Sequence, residues 1–300
     1  MNSVQQNSGL PTAIASSDFP AVAVQPSIAL PAAEPGESHA RLAGGVLSGL
    51  DEAEALVRSA MKGATPDEQA RTDEVELTVV IPVYNEPRTV LQIIRAVQQL
   101  PISKQIVVVN DGSRDGTAEA LQQVRSWDDV EVLEHPENRG KGAALQTGFE
   151  RACGRFVIVQ DADLEYNPED IMKVIAPLQS GECQVVFGSR YLEHAKQDPS
   201  RLHRFGNWAL TTMSNLLTGQ KLTDMETCYK AFSRDLLKSI PIEQQRFGFE
   251  PEITAKIARQ GIKIREVGVR YNCRSHQEGK KIGIRDLFAA IYCIVRYGLF

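Results

Sequence analysis

This chain has no long apolar run, no paired cysteines and no basic residue near its start. The five cysteines, Cys153, Cys183, Cys228, Cys273 and Cys293, are odd in number, and no two have CxxC spacing. That reads as a reduced, cytosolic chain with mostly inert thiols. The first Lys or Arg is Arg41, so the basic start of a secretory signal peptide is absent. The apolar stretch 19–33 is broken by Pro20, Pro26 and Pro31, and LFAAIYCIV (287–295) is bounded by Asp286 and Arg296. A membrane span takes about 20 apolar residues, so neither stretch crosses a bilayer. The second could still lie on a membrane surface as an amphipathic helix, or pack onto the core.

Charge is unevenly spread. The formal net charge is −5, but residues 1–74 alone hold 4 Lys/Arg against 10 Asp/Glu. This Ala-, Ser-, Pro- and Gly-rich stretch reads as a disordered N-terminal arm, with a short helix near Asp51 to Met61. Residues 255–300 hold 10 Lys/Arg against 3 Asp/Glu. That basic end suits an anionic surface, or else is a solvated face. No nucleic-acid partner is expected.

From Val75 onward short apolar strands alternate with amphipathic helices. Strands are expected at 77–84, 105–110, 130–135, 156–160 and 184–189, and helices near 118–124, 143–151 and 171–178. A further helix, with an apolar stripe of Val90, Ile93, Ile94 and Val97, follows the first strand. The pattern predicts an α/β fold: a Rossmann-like, mostly parallel sheet with helices on both faces. After Tyr191 the rhythm changes to helices at 201–219 and 250–260 and a strand at 262–271. Ligands of such sheets bind in loops past the strand C-termini, where the polar clusters of this chain sit.

The most telling cluster is FVIVQDADLEYNP (156–168). A buried strand delivers Asp161 and Asp163 into a polar turn, with Glu165 two residues on. Carboxylates so spaced can converge on one hard divalent cation, Mg²⁺ or Mn²⁺. The plain alternative is an acidic loop before a helix.

Six motifs in order, IPVYNE (81–86), VVVNDGSRDGT (107–117), NRGKGAALQTGF (138–149), QDADLEYNP (160–168), FGSRYL (187–192) and TDMETCYKAF (223–232), resemble the inverting glycosyltransferases of family 2, which have the GT-A fold. The match is best to the branch that glycosylates dolichyl or polyprenyl phosphates, and it covers about residues 77 to 285. The resemblance implies a GT-A domain over 75–300, ending in the basic segment that would rest on a membrane surface.

It also implies roles. Pro82 and Tyr84 would face the base of a nucleotide sugar, with Glu86 near the ribose; a ring face stacks on a base and a carboxylate accepts from hydroxyls. Asp111 would accept from a ring N–H of the base. Arg139 and Lys141, set around glycines ahead of a helix, would face the diphosphate. Asp161, Ala162 and Asp163 would be the DxD motif, whose cation bridges that diphosphate. Glu165 would add a ligand, although many dolichyl-phosphate mannosyltransferases have Gln there. Arg190 would meet the acceptor phosphate, and Arg274 with Lys280 would close over phosphates. Arg201 and Arg204 fit the relatives' pattern less well. Asp224 or Glu226 would activate the acceptor, or instead pair with Lys230.

A lipid phosphate is already largely ionised at pH 7 and needs orientation more than a base. The cationic set therefore favours a polyprenyl phosphate acceptor. The donor, UDP-glucose or GDP-mannose, is left open. The rival readings are a soluble transferase acting on a sugar hydroxyl, which needs a base close by, and a non-catalytic nucleotide-sugar-binding relative. A nucleotidyltransferase would open on a Gly-rich basic signature, which IPVYNE is not. The expected location is cytoplasmic, peripheral on the membrane face.

Overall fold

The computed structural model describes residues 75–192, 201–246, 248–273 and 284–299. The chain divides into two units, Met1–Gly63 and Ala64–Phe300, and every described residue belongs to the second. The expected helix near Asp51 lies outside the described residues, as do Arg274 and Lys280.

The first half follows the alternation: β1 (Leu77–Val83), α1 (Val90–Gln98), β2 (Lys104–Asn110), α2 (Thr117–Gln122), β3 (Val130–Glu134), α3 (Lys141–Arg151), β4 (Phe156–Val159), α4 (Asp170–Gln179) and β5 (Val185–Ser189). The second half contains α5 (Arg201–Thr218), β6 (Lys230–Ser233), α6 (Arg234–Ser239), α7 (Phe249–Arg259), β7 (Arg265–Gly268) and α8 (Ile284–Leu299). The apolar runs of β1, β2 and β4 are buried on both faces, as central strands of a covered parallel sheet must be. The stripe of α1 is fully buried at all four expected positions.

The sheet is seven-stranded in the order β3-β2-β1-β4-β6-β5-β7, and only β6 runs against the rest. This strand departs from the sequence reading, which left 223–232 unassigned. Four residues, KAFS, carry no usable periodicity; flanking by β4 and β5 makes them a strand. The reversal has a consequence for the site. The C-terminal ends of the six parallel strands share one edge of the sheet, and so does the N-terminal end of β6. The polar loop before β6 therefore meets the loops after β4 and β5.

Candidate active site

The β1 and β2 loops are stitched together. Asn85, at φ 57°, donates its backbone N–H to Ser113 Oγ (3.0 Å) and accepts from the Arg114 N–H at Oδ1 (2.9 Å). The Glu86 backbone N–H donates to Thr117 Oγ1 (2.9 Å), and its carboxylate accepts from Thr89 Oγ1 (3.0 Å). These bonds hold Tyr84, 45% exposed, just past β1 beside the partly buried Pro82. An exposed ring on a rigid loop is a stacking surface.

Asp111 stands elsewhere than expected. It is buried, and its carboxylate takes four contacts from the chain itself. His135 Nδ1 (2.7 Å) and the Arg139 N–H (2.9 Å) meet Oδ1, while the Asn138 side-chain amide (2.9 Å) and the Gly140 N–H (2.7 Å) donate to Oδ2. A carboxylate offers about four acceptor sites, so none remains for a base. In this structure Asp111 clamps the NRGKG loop.

At α3 the chain covers part of the helix end. Its N-terminus is covered by the chain near Gln245, whose carbonyl accepts from the Ala143 N–H at 2.9 Å. Gly140, at φ 103°, permits this approach: a Cβ there would meet the Gln245 carbonyl oxygen at 2.5 Å. The Ala143 N–H is therefore engaged by the chain itself. Lys141 points to the β4 loop. Its Nζ lies 3.1 and 3.3 Å from the two Asp161 oxygens and 3.2 Å from Glu250 Oε1. Burial alone would lower the ammonium, but Asp161 and Glu250 outweigh it and hold its pKa well above the usual lysine value.

The three expected metal ligands do not converge. Leu164 takes a left-handed φ of 61°, which swings the next residue aside. Glu165 then accepts from the Tyr271 hydroxyl (2.8 Å) and, through its carbonyl, from the Asn272 N–H (2.8 Å). Among the described residues no three His, Cys, Asp or Glu side chains form a metal-binding group. The donor chemistry of Asp161 and Asp163 still fits Mg²⁺ or Mn²⁺. Mg²⁺ commonly takes one or two carboxylates and completes its shell with substrate phosphates and water.

Asp224 is fully buried and gripped by Arg190. Nε and Nη2 of Arg190 donate to Oδ2 and Oδ1, both at 2.7 Å, and its backbone N–H donates to Oδ2 at 3.0 Å. The Arg190 guanidinium also lies over the rings of Tyr191 and Tyr271. The alternative pairing of a carboxylate with Lys230 is not formed. Lys230, fully buried, donates to the carbonyls of Met225 (2.7 Å) and Thr227 (2.6 Å). Burial pushes its pKa down to about 8. Glu226 is partly buried, and its Oε1 is shielded from solvent without a hydrogen-bond partner. Burial first, then the neighbouring Glu250 carboxylate, push Glu226 up to about 7.

Sequence reasoning missed Glu250, the second partner of Lys141. An acidic residue in the first turn of a helix reads as ordinary dipole compensation, and only the fold brings it to Lys141.

The sequence profile described as glycosyl transferase family 2 matches residues 78–240. Relatives include a dolichyl-phosphate beta-glucosyltransferase of Trichomonas vaginalis, 29% identical over 76% of this chain and 74% of the relative. An undecaprenyl-phosphate 4-deoxy-4-formamido-L-arabinose transferase of Aeromonas hydrophila is 30% identical over 75% of this chain and 68% of its own length. Among solved structures, glucosyl-3-phosphoglycerate synthase from Mycobacterium tuberculosis, in complex with Mn²⁺, uridine diphosphate and phosphoglyceric acid, superposes with a TM-score of 0.59. It is 20% identical, with 77% of this chain and 81% of that one covered, and it supports the GT-A fold. With the profile spanning more than half of the sequence, the chain belongs to glycosyl transferase family 2, and it is a glycosyltransferase.

Proposed function

We propose that this glycosyltransferase is metal-dependent and inverting, and moves a sugar from a nucleotide sugar to a polyprenyl phosphate. The observation that carries the acceptor is the Asp224–Arg190 lock. A hydroxyl acceptor needs a base within hydrogen-bond reach, and Asp224 is buried and already saturated by a guanidinium. An acceptor that arrives ionised needs no such base. The relatives named for dolichyl and undecaprenyl phosphates support the same reading.

Tyr84 and Pro82 would hold the base, and Glu86 the ribose. Asp161 and Asp163 would hold Mg²⁺ or Mn²⁺, which when bound supplies Lewis-acid neutralisation of the departing diphosphate. Lys141, kept charged by Asp161 and Glu250, adds a fixed positive charge beside that group. A phosphate oxygen of the acceptor attacks the anomeric carbon, the bond to the nucleoside diphosphate breaks, and its electron pair stays on the departing phosphate oxygen. Attack from the opposite face inverts the centre. Arg274 and Lys280 would close over the phosphates. UDP-glucose and GDP-mannose remain the two donors to compare. The site faces the cytoplasm in this reading.

One observation favours a second reading. Glu226, raised to about 7 with an unpartnered oxygen, is poised as a general base for a hydroxyl acceptor.

The test is transfer of radiolabel from each donor into organic-extractable product, with a short polyprenyl phosphate and Mg²⁺ or Mn²⁺. Transfer is expected to vanish in Asp163→Asn and to persist in Glu226→Gln. Nucleotide-sugar binding without transfer to the lipid, together with label moving onto a sugar acceptor only when Glu226 is intact, would hand the site to the second reading.

A further inference from the structure

Tyr271 plays no part in the reaction proposed above, yet it stands where the two sides of the sheet edge meet. Strands β6 and β5 lie between β4 and β7, but the segments after β4 and β7 are laced together. Tyr271 pairs with Tyr166 in an isolated antiparallel bridge. The Asn272 N–H donates to the Glu165 carbonyl at 2.8 Å. Arg270 grips the Asp170 carboxylate through its backbone N–H (2.7 Å), Nε (3.0 Å) and Nη2 (2.8 Å). The Tyr271 ring is fixed from two sides. The Tyr166 ring meets it edge-on with centroids 5.2 Å apart, and the Arg190 guanidinium lies over it, 5.2 Å from its centroid. Edge-to-face rings attract, and so does a cation over a ring face. So held, the ring aims its hydroxyl at Glu165 Oε2, 2.8 Å away. A hydroxyl donated to a carboxylate makes a charge-assisted bond, stronger than a neutral one.

That bond decides where the Glu165 carboxylate goes. The Glu165 backbone N–H donates to Asp163 Oδ1 at 3.2 Å, so its side chain starts beside the Asp161 and Asp163 pair. The pair repels a third carboxylate, whereas a divalent cation held between them would attract it. The backbone of Glu165 cannot follow, being held by Asn272 and by the left-handed φ of Leu164. Its side chain can, because the torsions of a glutamate carry the carboxylate from one side of its Cα to the other. The Tyr271 hydroxyl and the cation therefore compete for one carboxylate. We propose that Tyr271 is a positioning residue for the cation site, its hydroxyl holding Glu165 back from Asp161 and Asp163. The proposal rests on the metal-dependent reading of the function. Its value lies in turnover. Affinity for a hard cation rises with the number of charged ligands, so a third carboxylate would tighten the cation and the nucleoside diphosphate that has to leave with it.

The test titrates Mn²⁺ into the full chain with UDP or GDP present and reads the unbound ion by electron paramagnetic resonance. Tyr271→Phe keeps the ring and loses only the hydroxyl. It should tighten Mn²⁺ binding by about fivefold or more. In a Glu165→Ala background the same substitution should change Mn²⁺ affinity by less than about twofold, because the carboxylate that it releases is gone. A tyrosine with a merely structural role predicts the opposite sign, since losing its bond would loosen the turn and weaken Mn²⁺. Unchanged or weaker binding by Tyr271→Phe would overturn the proposal, and so would the same gain in the Glu165→Ala background. The metal-dependent reading fails in a different way. If the wild type binds no Mn²⁺, or binds it as well in Asp163→Asn, that reading falls and the proposal with it. If wild-type binding is lost in Asp163→Asn and Tyr271→Phe gains nothing, the proposal alone falls.

Discussion

Glu226 is a carboxyl that the fold holds in its protonated form up to about pH 7, against 4.5 for the same group unperturbed. The sign follows from linkage. Between those two values the folded chain binds the proton and the unfolded chain has released it, so the stability that this group contributes is present below about 4.5 and lost as pH rises to about 7. Glu226→Gln removes the titration. Relative to wild type, the variant should therefore gain stability on going from about pH 5 to about pH 8, by on the order of 1–3 kcal/mol. Thermal melts of both proteins at the two pH values measure it, and a constant difference between them would mean that Glu226 is not buried as described. At this scale much was legible. Asp161 and Arg190 stand just past the strands read at 156–160 and 184–189, while Tyr84, read as the last residue of its strand, stands just beyond β1. What sequence could not supply was who bonds to whom. Asp111 looks like a ligand-facing carboxylate until Asn138, Arg139 and Gly140 fold back onto it.

The first turn of α3 shows how one element is held by another distant in sequence. Gly142 sits in a helix, where alanine is ordinarily better by about 1 kcal/mol. Here a Cβ would stand 2.0 Å from the Gln244 carbonyl oxygen and 2.9 Å from its carbon, and backbone cannot swing aside as a side-chain tip can. Overpacking should win, costing about 1–3 kcal/mol. Because Lys141 is the adjacent residue, the KM for the nucleotide sugar should rise as well. Gly206 in α5 is the control: a Cβ there meets nothing within 4 Å, so Gly206→Ala should stabilise by about 0.5–1 kcal/mol. Urea midpoints of the two variants should move in opposite directions, and a shared direction would sink the account. The helices themselves were readable from periodicity, but which face turns inward was not always so. In α5, Asn207, Thr211 and Ser214 make a polar stripe at helical spacing that an ordinary soluble helix would turn to water, yet it is the buried one. Strand β6 was unreadable for a different reason: it opens with Lys230, a residue that enters a core only because the carbonyls of Met225 and Thr227 receive its ammonium.

On the scale of the molecule, the single reversed strand divides the labour of the sheet edge. The loops after β1, β2, β3 and β4 present Tyr84, Asp111, the NRGKG run that Asp111 clamps, and Asp161 with Asp163. The loop into β6 and the end of β5 present Glu226 and the Asp224–Arg190 pair. In the proposed function a donor bound on the first side would bring two phosphates close to Asp161 and Asp163, two carboxylates of the same sign. That juxtaposition is repulsive unless a divalent cation lies between, with Lys141 already engaged by Asp161 and Glu250. Nucleotide and cation should therefore bind with positive coupling, of the order of 1–3 kcal/mol for such linked sites. Binding to the folded chain alone raises stability, by about 2.7 kcal/mol for a ligand at a hundred times its dissociation constant. Thermal melts with UDP or GDP, with Mn²⁺, and with both together should then show a combined rise larger than the sum of the separate ones. Asp163→Asn should keep the small rise given by nucleotide alone and lose the excess. A strictly additive response in the wild type would mean that the two carboxylates do not share a cation with the diphosphate, and the donor would have to be neutralised by Lys141 and the basic C-terminal residues instead.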